Sequence, residues 1–591
     1  MENIQSTAHT NPTSRIKPRR AGVPCVRCRQ MKVSSSPVVL GANASSLTLI
    51  IVLSLKPRHG YEEGESSYRT PQSEASGPEP TDPSSTPRGP LPGSDSSLTS
   101  ITAELRLGWR RSARFTHEAT GVSFTSSIVA ELLEEYYSHV HPRFPLLLEP
   151  ASIVDSYEKA PLLFWTVLAI ASKDLEKYAS DYARLQILLR QLVADIVLLG
   201  TRSIFLVQAL ILLCVWSFPH EDMNREPFSM YLAIAISMAR SLGLHRPQYP
   251  FLMFAAKASD IGTMESRAAT WLSCFIVDQW HSARFGVPGS IRADHAILHS
   301  LNGSMPGVSA TTRIQLHIAV VTSKISTALG ECESSPTGLM ADPLPLVRVF
   351  ETELCMIQDR YACQWSPADE VSFLDARLSL YSYILGRKKT EPLKNLYPDN
   401  EFIVQGSITA RQLLIVLTTF PDALTKGTIH VFRAASYAVF FLLRVLGTAP
   451  SELIDETGIR NIIRQTFTLL RDISQSANDR RSQCVRVCRI IENMIEYEDW
   501  NKDTPFLGKA ESFMSLNFIA DVAARGIMKA NIRHAAAQAE RDCREDVVAA
   551  APPGVSNFDF DFSIFDPMGW DVNWRNSGDP LFVNEDLSGP S

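Results

Sequence analysis

No cysteine stands between Cys28 and Cys214 in this chain of 591 residues. Cys25 and Cys28 form a C-x2-C pair, but two thiolates fill only two of the four positions around a tetrahedral structural zinc. His59 offers a third ligand, and no convincing fourth is nearby. Also missing are Gly-x-Ser-x-Gly, His-Glu-x-x-His, the phosphate-binding Gly-x4-Gly-Lys-Ser/Thr loop and the dinucleotide-binding glycine fingerprint. Without any of them no motif argues for an enzyme. Asp278 and His281 are spaced i, i+3 on an expected helix, a spacing open to acid–base chemistry. One such pair is expected by chance in a chain this long, and His245 reads as a capping or interface residue.

Hairpin dipeptides of the Asn-Gly or Asp-Gly type are nearly absent, which argues against an all-β fold. The N-terminus lacks an apolar leader, so secretion is not expected. Most of the ten cysteines are isolated within apolar runs, as Cys214 and Cys274 are. That excludes a disulfide framework and fits a reducing compartment. Cys484 and Cys488, four apart on an expected helix, read as structural. The apolar stretch Pro37–Leu55 is broken by Gly41, Asn43, Ser45 and Ser46, whereas a spanning helix needs about 20 mostly apolar residues. No membrane partner is expected.

What the chain does have is charge segregated at its ends. Residues 1–33 hold seven cations (Arg15, Lys17, Arg19, Arg20, Arg27, Arg29, Lys32) against Glu2, and residues 555–591 hold seven acids against Arg575. A basic head points to nucleic acid and an acidic tail to a protein partner. Between Glu65 and Thr99 lie seven prolines and nine serines with no hydrophobic period, the composition of a disordered linker.

From about Thr125 apolar runs of helical length recur: Ile128–Val140, Leu162–Ala171, Ile204–Phe218, Phe228–Leu244, Ala268–Phe285, Ile314–Leu329 and Ile429–Leu446. In the fourth, Phe228, Tyr231, Leu232, Ala235, Ala239 and Leu242 share a face. Ile234, Ile236 and Met238 make its other side apolar, so a central, buried helix closed by Gly243 is predicted. The fold class is all-α: one large helical regulatory domain, with a disordered N-terminal linker and a disordered acidic C-terminal tail. The expected divisions are a basic head (1–33), an irregular segment and linker (34–124), the helical domain (125–549) and the tail (550–591). In the tail Phe558, Phe560, Phe562, Phe565, Trp570 and Trp574 are interleaved with Asp559, Asp561, Asp566 and Asp571. Carboxylates keep such aromatics in water and free to fold onto a partner, the composition of a transcriptional activation segment.

Taken together, these features resemble the fungal transcription factors with a six-cysteine binuclear zinc cluster. Cys25-x2-Cys28-Arg29-x2-Lys32 looks like the first half of that cluster. Phe228–Pro247, ending Ser241-Leu242-Gly243-Leu244-His245-Arg246-Pro247, is similar to the family's regulatory-domain signature. Ser266-Arg267-Ala268-Ala269-Thr270-Trp271, running on to Gly286-Val287-Pro288, and the entrance His141-Pro142-Arg143-Phe144-Pro145 also have the family's look.

The resemblance implies that Cys25 and Cys28 are zinc ligands, that Arg27 and Arg29 contact phosphate and that Lys32 stands at the base-reading position for a CGG triplet. Lys17, Arg19 and Arg20 suit nuclear import. It further implies a nuclear activator of RNA polymerase II genes that works as a homodimer, contacts the transcription machinery and answers to a small-molecule effector, with target genes in a biosynthetic cluster as for some members of the family. The departure is at Ser35, where the next cysteine of the cluster belongs. Structural zinc supplies about 10–16 kcal/mol of folding energy, so half a ligand set cannot build the module. Val33-Ser34 is what an intron's 5′ splice signal encodes in frame, and residues 33 to about 55 read as translated intron in place of the other four cysteines. The alternative is a co-regulator of the same descent that does not bind DNA and acts through protein partners.

Overall fold

The computed structural model describes residues 114–475, except 148–149, 219–225, 250–261, 303–304, 306, 386–396 and 448–450, together with scattered positions between 487 and 526. All of them belong to the compact unit Gly89–Ser591. The zinc-head residues, the import run and the aromatic tail lie outside the described residues.

Alternation of Phe115, Val122 and Phe124 with polar neighbours makes a short hairpin, β1 (Arg114–His117) paired antiparallel with β2 (Val122–Thr125). Phe115 faces Phe124 across it. This hairpin falls in the span read from the sequence as the end of the linker. It packs against the first helices, with the Phe115 ring 5.1 Å from Phe164 and the Phe124 ring 6.0 Å from Trp165.

Everything else of regular structure among the described residues is helical. Thr125 caps α1 (Ser126–Glu135), which runs through a π turn at Tyr136–Val140 into His141–Arg143. Then come α2 (Pro150–Lys159), α3 (Pro161–Ser172), α4 (Ala179–Leu199), α5 (Ile204–Val215), α6 (Phe228–Ser241), α7 (Met264–Phe285) and α8 (His295–Leu301). The rest are α9 (Ala310–Gly330), α10 (Leu344–Tyr361), α11 (Pro367–Leu385), α12 (Tyr397–Thr419), α13 (Asp422–Thr425), α14 (Ile429–Leu446) and α15 (Glu456–Gln475).

Three of these helices are apolar all round and form the centre. In α3 every residue from Leu162 to Ser172 is buried, and in α14 every residue from Ile429 to Leu446 except Arg433. In α5 only Phe205 is left partly open. Burying side chains of this size contributes roughly 1.5–3 kcal/mol each. Helices α12 and α14 are long and apolar enough to cross a membrane, yet 94% of the α14 window is buried inside the protein, so its apolarity is used by the core. Around α5 pack α3, α6 and α7; around α14 pack α11 and α12, and α9 joins the two halves through α7 and α11. Gly406 lets α12 approach α14 closely, since a Cβ there would lie 2.5 Å from Phe441 Cζ.

Helix α6 differs from its expectation. Ser229, Met230, Ala233, Ser237 and Arg240 form an exposed stripe, so it is a peripheral helix with a broad inner face. Small residues on that stripe hide its polarity from a hydrophobicity reading.

Candidate functional site

The end of α6 is a Schellman stop. Gly243, at φ 73, donates to the Arg240 carbonyl (3.0 Å), and the Leu244 amide reaches back to Ala239 (3.0 Å). This turns His245-Arg246-Pro247 across the start of α7. There Arg267 Nε donates to the Pro247 carbonyl (2.7 Å) while its Nη1 donates to Gly262 (2.5 Å). The Trp271 ring meets His245 edge-on at 6.1 Å, and its Nε1 donates to Asp294 Oδ2 (3.1 Å). Two sequence-distant blocks are therefore one structural joint. His245 is an interface residue, its basicity lowered by burial and by Arg246.

The loop after α7 is pinned as firmly. Gly286 closes the helix at φ 61, and Ser282 Oγ donates to the Val287 carbonyl (2.6 Å). Asp278 accepts from the amides of Ser290 (3.1 Å) and Ile291 (2.7 Å), and Gln279 Nε2 donates to both the Asp278 carboxylate and the Ile291 carbonyl. Arg240 of α6 donates to the Ser290 carbonyl, binding the loop to the joint above. Gly289 allows a close approach here, because a Cβ would meet Gln279 Nε2 at 2.8 Å and push that amide aside. Asp278 thus serves as a loop anchor. His281 points elsewhere, stacked on Phe228 at 5.3 Å and against Phe285 at 4.6 Å.

Beyond this loop lies a buried ionic junction for which the sequence offered only isolated charges in apolar runs. Arg284 of α7 donates to both oxygens of Asp375 on α11 (2.9 and 3.2 Å) and lies over the Tyr437 ring at 4.4 Å. Arg433 of α14 donates to Glu226 (2.7 Å) while lying over Phe228 (4.6 Å) and Phe285 (5.2 Å). Burial raises the Asp375 carboxyl, and Arg284 opposes that shift. His430 lies flat on Trp280, and Trp280 touches Phe144 of the entrance motif at 5.6 Å. Charges placed this way order helices; nothing in the arrangement sets a nucleophile against a base.

Two clefts open on the surface. One is polar, lined in part by Glu135, Arg143, Lys173 and Asp174; the other lies between α4 and α6 with Leu189, Phe218 and Tyr231 on its walls. Among the described residues no group of three or more His, Cys, Asp or Glu side chains could hold a metal ion. Cys488 is described, buried and free, whereas its neighbour Cys484 lies outside the described residues.

Residues 133–337 match the fungal specific transcription factor domain. That stretch, about a third of the chain, is similar to a domain of fungal transcription factors. That match runs from Leu133 in α1 to Thr337 after α9 and includes the joint and the pinned loop.

The chain is 24% identical over 360 residues to the putative transcription factor SEF1 of Eremothecium gossypii, covering 56% of this chain and 34% of that protein. To the transcriptional regulatory protein SEF1 of Candida albicans it is 22% identical over 415 residues, 66% of this chain and 44% of the relative. To the regulatory protein LEU3 of Saccharomyces cerevisiae it is 22% identical over 338 residues, 53% and 37% respectively. The matched region thus spans less than half the length of these relatives. No solved structure matches the chain. The family is one of transcription regulators, not of enzymes.

Proposed function

We propose that this protein is a nuclear, sequence-specific regulator of RNA polymerase II transcription, an activator whose helical domain (125–549) joins a DNA-binding head (1–33) to an activation tail (550–591). The observation that carries this reading is the Arg267–Trp271 joint and pinned loop inside the span matching the transcription factor domain. In this reading the linker (34–124) spaces the head from the domain, the head reads CGG-type DNA as a homodimer, and the tail aromatics Phe558, Phe560, Phe562, Phe565, Trp570 and Trp574 contact the transcription machinery. A small apolar effector acts on the helical domain, and the target genes include a biosynthetic cluster.

The donor set at the head does not fit the zinc cluster of this family. Cys25 and Cys28 lie outside the described residues, and two thiolates leave a tetrahedral ion half-coordinated. That shortfall favours a second reading, a co-regulator that reaches promoters through protein partners. Sequencing the transcript across codons 15–125 separates the two. A message that skips the segment after Lys32 and restores four cysteines supports direct DNA binding; one that matches this sequence supports the co-regulator. For either form, fusion to an unrelated DNA-binding domain should activate a reporter, and removing 550–591 should abolish the signal. Unchanged output without the tail would remove the activation assignment.

A further inference from the structure

Charge is segregated inside the helical domain as well as at the ends of the chain. Residues 460–489 hold seven arginines and no lysine against Asp472 and Asp479, in a chain whose net charge is −6. The first three, Arg460, Arg464 and Arg471, lie on α15, whose inner face of Ile459, Ile462, Ile463 and Leu470 is buried. At about 100° per residue they fall within about 40° of one another, a straight stripe along the outside of the helix. Arg464 and Arg471 are exposed and Arg460 is half-buried. Arg464 Nη1 donates to Asn461 one turn back (3.4 Å), and Arg471 stands 3.9 Å from the exposed carboxylate of Asp472, a pair that water weakens. At the other end Asp455 is engaged by Arg411 (3.2 Å) and by the Gly458 amide (2.9 Å). Beside the stripe the exposed positions carry Asn461, Gln465 and Thr468, and no exposed position from 457 to 472 holds an apolar side chain.

We propose that the outer face of α15 binds the phosphate backbone of duplex DNA, as a sequence-independent clamp separate from the head. Phosphate oxygens take hydrogen bonds from arginine, asparagine, glutamine and threonine, the residue types gathered on this face. Arginine in particular matches phosphate with a bidentate fork. An acidic peptide rich in aromatics, such as the tail of this chain, needs an apolar groove that the face does not offer. Arg460 to Arg471 spans roughly 16 Å of helix at about 1.5 Å per residue, the rise of about five phosphates at about 3.4 Å each along one strand. Three guanidiniums spread over that length neutralise about three phosphates and release the counterions condensed on them. Such a contact fixes the position of the domain on DNA and carries no base information. It also gives the chain a hold on DNA that needs no zinc.

This clamp rests on the reading of the chain as a transcription regulator. Fluorescence anisotropy of the full chain with a random-sequence duplex, at salt between about 50 and 200 mM, tests it. Arg460→Gln, Arg464→Gln and Arg471→Gln together should make log Kobs against log salt shallower by about 2.7, at about 0.9 per lost phosphate contact. A CGG-containing duplex should show the same loss, because the head is untouched. Lysine at all three positions keeps the charge and should keep the wild-type slope. Arg348→Gln with Arg360→Gln, which removes two exposed cations of α10, should leave the slope unaltered. A full chain that fails to bind the duplex at about 50 mM salt, an unchanged slope in the triple Gln variant, or an equally shallow slope in the α10 variant would each overturn the proposal. An unchanged slope joined to higher output from the reporter fusion would assign the stripe to the acidic tail instead. The anisotropy signal depends on neither the transcript nor tail-driven activation, so a failed clamp leaves the transcriptional reading standing, and a failed activation test leaves the clamp.

Discussion

The imidazole of His430 lies flat on the indole of Trp280, ring centroids 4.4 Å apart and planes inclined by 2°. The stack brings α14 onto α7 at the point where Phe144, from the entrance motif, also reaches Trp280. His430 Nε2 has no hydrogen-bond partner, and burial, reinforced by Arg284 and Arg433, holds the ring well below its ordinary basicity. Nearby His281 is pulled down to about 4, first by burial and then by Arg433.

Acid should therefore loosen this junction. The unfolded chain takes up protons on these rings near pH 6.5, and the folded chain does not. Stability is complete above that pH and should fall as the pH drops from about 6.5 toward 4. Thermal unfolding followed by tryptophan fluorescence reads the decline directly. His430→Phe keeps a flat ring on Trp280 and removes one titrating group, so its melting temperature should depend less steeply on pH. An identical slope would mean that His430 is not held neutral.

The pair Arg433–Glu226 should matter asymmetrically. Glu226→Ala leaves a guanidinium buried between Phe228 and Phe285 without its carboxylate. Removing one member of a buried pair costs about 3–5 kcal/mol, while replacing both with apolar residues of similar volume is often neutral. In urea unfolding Glu226→Ala should lose stability of that order, and Glu226→Met with Arg433→Met should recover most of it. Equal losses in the two variants would contradict the buried-pair account.

Asp278 should be indispensable to the loop it anchors. Asp278→Ala deprives the Ser290 and Ile291 amides of their acceptor, at about 1–3 kcal/mol for each group left unsatisfied. Hydrogen exchange should speed up at those two amides ahead of global unfolding. Asp278→Asn, which retains one acceptor oxygen, should show a smaller change. Unaltered protection in Asp278→Ala would show that Gln279 and Ser282 suffice to hold the loop.

Much of the helical framework was legible because it rests on local pattern. The run Ile429–Leu446 coincides with α14, and Leu162–Ala171 lies one residue inside each end of α3. Gly243 stops α6 through the Schellman bonds that its place in the sequence suggested. The hairpin escaped notice because strands of four residues carry too little alternation to stand out beside a linker. The fully buried reading of α6 was too strong, since Ser229, Ala233 and Ser237 are small without being inward. Asp278 and His281 looked like a pair on one helix, yet the carboxylate turns to the loop amides and the ring to Phe228.

The sequence alone determined the all-α class, the helix spans and the family blocks, because period, run length and stop residues act over a few neighbours. It also determined the half ligand set at Cys25 and Cys28, which is a matter of counting donors. Only the tertiary structure decided which charges are partners. Arg433 and Glu226 are 207 positions apart, and Arg284 and Asp375 are 91 apart. Such pairs leave no local trace. They form because burying the faces on which these side chains sit forces each charge to find an opposite one away from water.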